Sequence, residues 1–139
     1  MSDKPAFSPS IVLLTLARPW GQSVTDALKP LGLTTRKFAV LSHLRASPGL
    51  SFSELARRSR VTVQSVHTMV TAFVEAGLVE DGTAHAGAAS ILETTAAGNV
   101  LLLRARDAIA DVDKRFAAAH PELTEALHVH MTQAMDRKR

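Results

Sequence analysis

A chain of 139 residues that is 46% hydrophobic and 21% charged has single-domain length and ordinary globular composition, which excludes wholesale disorder. It contains no cysteine, so a disulfide framework, a thiolate zinc site and a thiol redox switch are all excluded. The formal charge of +3 permits nucleic-acid binding without requiring it, and the placement of the charges matters more than their sum.

Residues 1–7 read as a loose tail. Ser8-Pro9 then opens a helix, with the serine as cap and the proline at the first helical position. Apolar positions continue at Leu13, Leu16, Ala17, Trp20, Val24 and Leu28, and Pro19 with Gly21 predicts a kink near Trp20. The run from residue 11 to 17 is short for a secretory core. Asp3 precedes it as well as Lys4, and Arg18 follows at once, so it reads as the first turns of a buried helix. Nothing reaches the length needed to span a bilayer, and a cytoplasmic protein is expected. Pro30-Leu31-Gly32 ends the helix. Thr34 caps a second one over Thr35 to Ala46, with Phe38, Leu41 and Leu44 on one face, and Ser47-Pro48-Gly49 makes a turn.

Residues 49–77 carry the most information, because two short helical patterns separated by a tight turn read as a helix-turn-helix. Ser51-Phe52-Ser53-Glu54 is a capping box in which the Ser51 hydroxyl takes the Glu54 amide and the Glu54 carboxylate returns to the Ser51 amide. Leu55 and Ala56 face inward. Arg60-Val61-Thr62 makes the turn, Thr62 caps the second helix, and Val63, Val66, Val70, Phe73 and Val74 recur at helical spacing. The opposite stripe holds Gln64, Ser65, His67, Thr68 and Thr71, short hydrogen-bonding groups of a size to reach base edges in a major groove. Such a stripe alone would describe any surface helix. Its company separates it from one: residues 34–71 hold Arg36, Lys37, Arg45, Arg57, Arg58 and Arg60 against the single acid Glu54, so positive charge is concentrated there.

Gly77 closes the second helix of the motif. Leu78-Val79 begins an extended segment that returns as Ser90-Ile91-Leu92-Glu93-Thr94, with Gly82 and Gly87 bracketing the tip of a hairpin. Thr95 caps a long helix through Val100, Leu103, Ile109, Val112 and Phe116. His120-Pro121 starts the last, where Leu123, Leu127, Met131 and Met135 repeat at four-residue steps. The predicted fold is mainly α with a small β-wing: one domain over 1–139, with a winged helix-turn-helix lobe at 34–94 and flanking helices at 8–31 and 95–137. The apolar runs at 11–14 and 100–103 exceed what a lone chain of this size hides easily. Burying each such side chain stabilises by roughly 1.5 to 3 kcal/mol, which predicts that a second copy covers these dimerisation helices.

In order and spacing the chain resembles the MarR family of bacterial transcription regulators, over most of its length from Leu13 to about Phe116. The resemblance rests on Pro30-Leu31-Gly32-Leu33-Thr34, on Pro48-Gly49-Leu50-Ser51 with Glu54-Leu55-Ala56, and on Val61-Thr62-Val63-Gln64-Ser65-Val66. Glu75-Ala76-Gly77-Leu78-Val79 and Thr95-Ala96-Ala97-Gly98 complete it. It implies a homodimer clasped by the first and last two helices, with recognition helices in successive major grooves of a pseudo-palindrome. It further implies release of DNA by a small aromatic or anionic effector bound between the dimer region and the DNA-binding lobe. One departure stands out. Family wings carry an arginine that enters the minor groove, whereas no Lys or Arg occurs here between Arg60 and Arg104. His85 at the wing tip substitutes only partly, since a free histidine is mostly neutral at physiological pH.

The expected base contacts are Gln64, Ser65, His67 and Thr68, with Arg36, Ser51, Arg57, Arg60 and Thr62 nearer phosphates and His85 in the wing. Trp20, the only tryptophan, is either core or one wall of an effector pocket with Phe38, His43 and Arg18, the last binding a carboxylate. His128 and His130 lie about 200° apart around a helix, and His43, His67, His85 and His120 fall on separate elements, so neither metal nor cofactor is expected. There is no Gly-rich phosphate loop and no paired carboxylates in an apolar setting, hence no enzyme. The expected partners are double-stranded DNA, a second copy of the chain and a small aromatic or anionic effector, with no membrane. Two other readings remain: an interaction protein of this fold that has lost operator affinity because its wing lacks Arg and Lys, and a small-molecule carrier using the dimer crevice.

Overall fold

The structure is a computed structural model that describes residues 4–82 and 91–138. The wing tip expected to carry His85 lies outside these residues. In chain order the elements are α1 (Pro9–Leu28), a short 3-10 turn (Lys29–Leu31), α2 (Thr35–Ala46), α3 (Phe52–Ser59) and α4 (Val63–Glu75). There follow β1 (Val79–Asp81), β2 (Leu92–Thr94), α5 (Ala96–Ala119) and α6 (Pro121–Asp136).

The helix starts follow local chemistry. Ser8, Thr34, Ser51, Thr62 and Thr95 each sit in extended backbone just before a helix and accept a hydrogen bond from an amide three residues on. At the far end of α4, the Leu78 and Gly77 amides donate to the Phe73 and Val74 carbonyls at 2.9 and 3.0 Å, with Gly77 at φ +73°. This two-bond cap requires a left-handed residue, which glycine adopts without steric cost. α1 runs through Pro19 and Gly21 as one helix.

Leu28 of α1, Leu41 and Leu44 of α2, Leu55 of α3, Val66 of α4, Leu92 of β2 and Leu102 of α5 pack into one core around the helix-turn-helix. Val63 and Val74, expected to face inward, are exposed. The buried stripe of α4 is centred on Val66, Val70 and Phe73, and positions 63 and 74 lie about 60 to 80° round the helix from Val66. The two strands pair antiparallel in the register Val79↔Thr94, Glu80↔Glu93, Asp81↔Leu92. The Gly49 amide donates to the Leu92 carbonyl at 3.1 Å, which ties the α2–α3 turn to the hairpin.

In the first turns of α1, Ile11, Val12, Leu13 and Leu14 are all exposed, Leu14 at 68%, so the single chain does not itself supply the burial expected for them. Val100 and Leu103 of α5 and Met131 and Met135 of α6 are exposed too. α1 packs along α5, and α5 against α6, yet these apolar side chains find no cover within the single chain.

Candidate nucleic-acid interface

The candidate interface is built at the α3–α4 turn. Ser51 caps α3 as expected, its Oγ accepting from the Glu54 amide at 3.1 Å. The reciprocal half of the capping box gives way to an ion pair: Arg57 donates to Glu54 through Nη2 at 2.7 Å and Nε at 2.9 Å. The hydrogen bonds from Arg57 hold the Glu54 carboxyl below its ordinary pKa and raise that of Arg57. Both groups face water, so the pair contributes little to stability, but it does occupy a guanidinium expected at phosphate.

α3 closes on Arg60, whose backbone is left-handed at φ +55°, ψ +45°. The Val61 amide donates to Ala56 at 3.1 Å and the Arg60 amide to Arg57 at 3.4 Å, the same cap geometry as at Gly77 but with an arginine at its centre. The turn delivers Thr62 to the start of α4, where its Oγ1 accepts from the Ser65 amide at 3.1 Å and donates to Ser65 Oγ at 2.9 Å. Thr68 Oγ1 donates to the Gln64 carbonyl at 3.1 Å. Its proton is thereby committed to the helix, and its lone pairs are left to accept from a base amino group.

Arg36 of α2, Thr62, Gln64, Ser65, Thr68 and Met69 line a shallow concavity of about 370 Å³, and Arg36 and Arg60 flank its neighbour over Val61, Thr62 and Ser65. Six of the expected contact residues are thus assembled around the first turns of α4. His67 lines the next groove along the helix with Thr68, Thr71, Ala72 and Glu75. Ser51, which caps α3, and Arg57 on α3 lie outside both concavities, engaged in the cap and the ion pair, and His85 falls outside the described residues.

Two features escaped the sequence reading. The His67 imidazole stacks on the Phe52 ring of α3, with centroids 3.9 Å apart and planes 12° apart. Glu80 and Glu93 place two acids on the outer face of the hairpin. The first pairs residues on different helices, and the second depends on strand register, so neither follows from local spacing.

Trp20 is half-buried and meets Phe116 edge-on at 5.1 Å and His120 at 6.1 Å. It lines an apolar cavity of about 340 Å³ with Leu13, Leu16, Ala17, Gly21, Phe116, Leu123 and Leu127. Arg18, Phe38 and His43 are not among these walls. Because α1 runs against α5, its Trp20 side meets α5 and α6, whereas Phe38 packs at the margin of the main core. Among the described residues no group of three or more His, Cys, Asp or Glu side chains could hold a metal ion, and no helix is long and apolar enough to cross a membrane.

A helix-turn-helix with an outward polar second helix, followed at once by an antiparallel hairpin, defines a winged helix-turn-helix protein. Comparison with known proteins narrows the class. The MarR family model matches residues 31–86. The chain is 40% identical over 96 residues to the HTH-type transcriptional repressor Rv2887 of Mycobacterium tuberculosis, covering 68% of this chain and 69% of that protein. It matches the repressor Mb2911 of Mycobacterium bovis to the same extent. The chain belongs to the MarR family. Among solved structures, M. tuberculosis Rv2887 in complex with DNA superposes with a TM-score of 0.76 at 29% identity, covering 94% of this chain and 98% of that one. The Rv2887 complex with salicylic acid gives 0.73 at 29% identity, over 97% and 99% of the two chains.

Proposed function

We propose that this protein is a ligand-responsive repressor that binds a pseudo-palindromic operator in double-stranded DNA as a homodimer, with α4 of each copy in a major groove. The observation that carries this reading is the clustering of Arg36, Arg60, Thr62, Gln64, Ser65 and Thr68 on one outward surface: cations at the rim for phosphates, and amide and hydroxyl groups at the centre for base edges. The names of the relatives support repression, and an Rv2887 structure holding DNA supports the ligand class. The uncovered apolar faces of α1, α5 and α6 support pairing of two copies over residues 8–31 and 95–137. A repressor of this kind acts in the cytoplasm, where the operator is.

The effector reading places an aromatic ring against Trp20 in the apolar cavity, whose walls all come from α1, α5 and α6 instead of from the junction with the DNA-binding lobe, so a second copy seated over Leu13 and Leu127 would close its rim. Salicylic acid bound to Rv2887 supports the chemistry. No lining residue is charged, and Arg18, exposed on the same helix, is the nearest cation in sequence for a carboxylate. Titrating salicylate against Trp20 fluorescence tests it: saturable quenching is expected, and a flat titration overturns the pocket.

For DNA, binding is measured by fluorescence anisotropy on the promoter region flanking the protein's own gene, at moderate salt, against scrambled competitor. Specific retention is expected, with Gln64→Ala weakening it by roughly 1 to 3 kcal/mol if the amide reads an adenine. Equal, steeply salt-sensitive binding to every sequence favours the second reading, an interaction protein of this fold. The stretch from Arg60 to Arg104 without a cation, and the acids on the hairpin, are the observations on its side.

A further inference from the structure

The stacked pair Phe52–His67 has no part in the fold's caps or in the phosphate-facing rim, and it joins the two helices of the motif at the surface where bases are expected. Gln64, His67, Thr68 and Thr71 fall within about 100° of arc on α4, so the imidazole belongs to the face proposed to enter the groove. Phe52, the first residue of α3, is half-buried against the core and therefore fixed, while His67 is exposed. With the planes 12° apart, one face of the imidazole is covered and its perimeter, where both nitrogens lie, stays open. Among the described residues neither nitrogen makes a hydrogen bond or ion pair. An exposed histidine would otherwise sample several rotamers, and ordering it on binding would oppose association.

We infer that Phe52 is a positioning residue: by stacking on His67 it holds the imidazole edge toward the major groove, and so sets a purine preference at one base pair of each half-site. An imidazole keeps at least one N–H donor in either protonation state, and a purine N7 accepts in the major groove. The inference rests on the DNA-binding reading of α4.

The test compares the full-length chain with Phe52→Leu, Phe52→Tyr, His67→Ala and the Phe52→Leu/His67→Ala double variant, using anisotropy on a set of operators varied one base pair at a time. In the free protein, the His67 carbon-bound ring protons are read by NMR. The wild type shows them shifted upfield by the Phe52 ring; Phe52→Leu returns them toward ordinary positions and Phe52→Tyr does not. Phe52→Leu and His67→Ala each flatten purine preference at the same position by roughly tenfold, the double variant loses no more than either single one, and Phe52→Tyr keeps the preference. The inference is overturned if Phe52→Leu weakens all sequences equally, if the two losses add, or if preference survives although the His67 resonances have moved. A wild type with no operator preference at all defeats the DNA reading itself, and this inference with it.

Discussion

Glu80 of β1 and Glu93 of β2 face each other directly across the hairpin, both exposed. Their inward neighbours Val79 and Leu92 are buried, so the register that places the apolar side chains in the core also aligns the two carboxylates outside. Like charges directly opposite destabilise a strand pair. The hairpin root thus presents negative charge on the element that, in the family this chain resembles, carries cations to DNA.

Glu93→Lys replaces repulsion by a cross-strand ion pair and is expected to stabilise the fold by about 0.2 to 1 kcal/mol, read as a small rise in melting temperature. If the hairpin root lies against the duplex, the same change raises DNA affinity at low salt and steepens the salt dependence by about one counterion per subunit. A higher melting temperature with unchanged affinity would place this wing away from the phosphates.

Glu54 is the single acid in residues 34–71, and it holds Arg57 in a two-bond pair. Glu54→Gln frees the guanidinium and removes a negative charge beside α4, so tighter and more salt-sensitive DNA binding is expected. The carboxyl pKa is depressed in the folded state by Arg57, so what the pair contributes to stability is present above the unfolded value and disappears as pH falls through the lower folded value. Melting curves of wild type and variant should differ slightly near neutrality and converge only as the pH falls below the ordinary carboxyl range. Convergence at alkaline pH instead would assign the effect to another group.

What the sequence disclosed divides along the reach of each interaction. Caps at Ser8, Thr34, Ser51, Thr62 and Thr95 act over three residues, and α2 over Thr35–Ala46 follows from its cap and turn. Glu54 shows the limit even at this range: Arg57 at i+3 competes for the same carboxylate that the Ser51 amide would receive, and spacing does not decide between them. Trp20 meets Phe116 and His120, nearly a hundred residues away, instead of Phe38 and His43, because the pairing of α1 with α5 is a tertiary choice. The apolar runs at 11–14 in α1 and 100–103 in α5 read as excess, too many large side chains for one chain to bury, and Ile11, Val12, Leu13, Leu14, Val100 and Leu103 are exposed.

Arg60 occupies a left-handed position that glycine takes at the matching end of α4. An L-residue there costs roughly 1 to 2 kcal/mol, a strain retained in the turn that delivers Thr62 to the interface. Arg60→Gly is expected to raise the melting temperature, by about 2 to 8 °C per kcal/mol gained, while weakening DNA binding and lowering its salt slope by about one. Opposite movement of the two measurements is the signature of a side chain kept for its contact. A variant that is both less stable and equally tight would show instead that the arginine stabilises the turn.

Gly98 gives a prediction whose sign runs against helix propensity. It lies in the first turn of α5, where replacing glycine by alanine in an open helix stabilises by about 1 kcal/mol. Here a Cβ would run into the carbonyl oxygen of Leu78, the residue that links α4 to β1. That carbonyl already accepts from the Thr95 amide at 3.0 Å, and Thr95 Oγ1 both donates to the Gly77 carbonyl at 2.6 Å and accepts from the Gly98 amide at 3.1 Å. The obstacle is backbone, pinned from both sides, and cannot swing away like a side chain. Gly98→Ala is therefore expected to destabilise by roughly 1 to 3 kcal/mol, the usual cost of overpacking. Because the junction joins the end of α4 to the root of α5, its loosening should also reduce the DNA affinity proposed for α4, while α5 keeps its helicity by circular dichroism. A Gly98→Ala variant that melts higher than wild type would mean that the α5 start can draw back from Leu78, and the rigid coupling of α4 to α5 would be refuted.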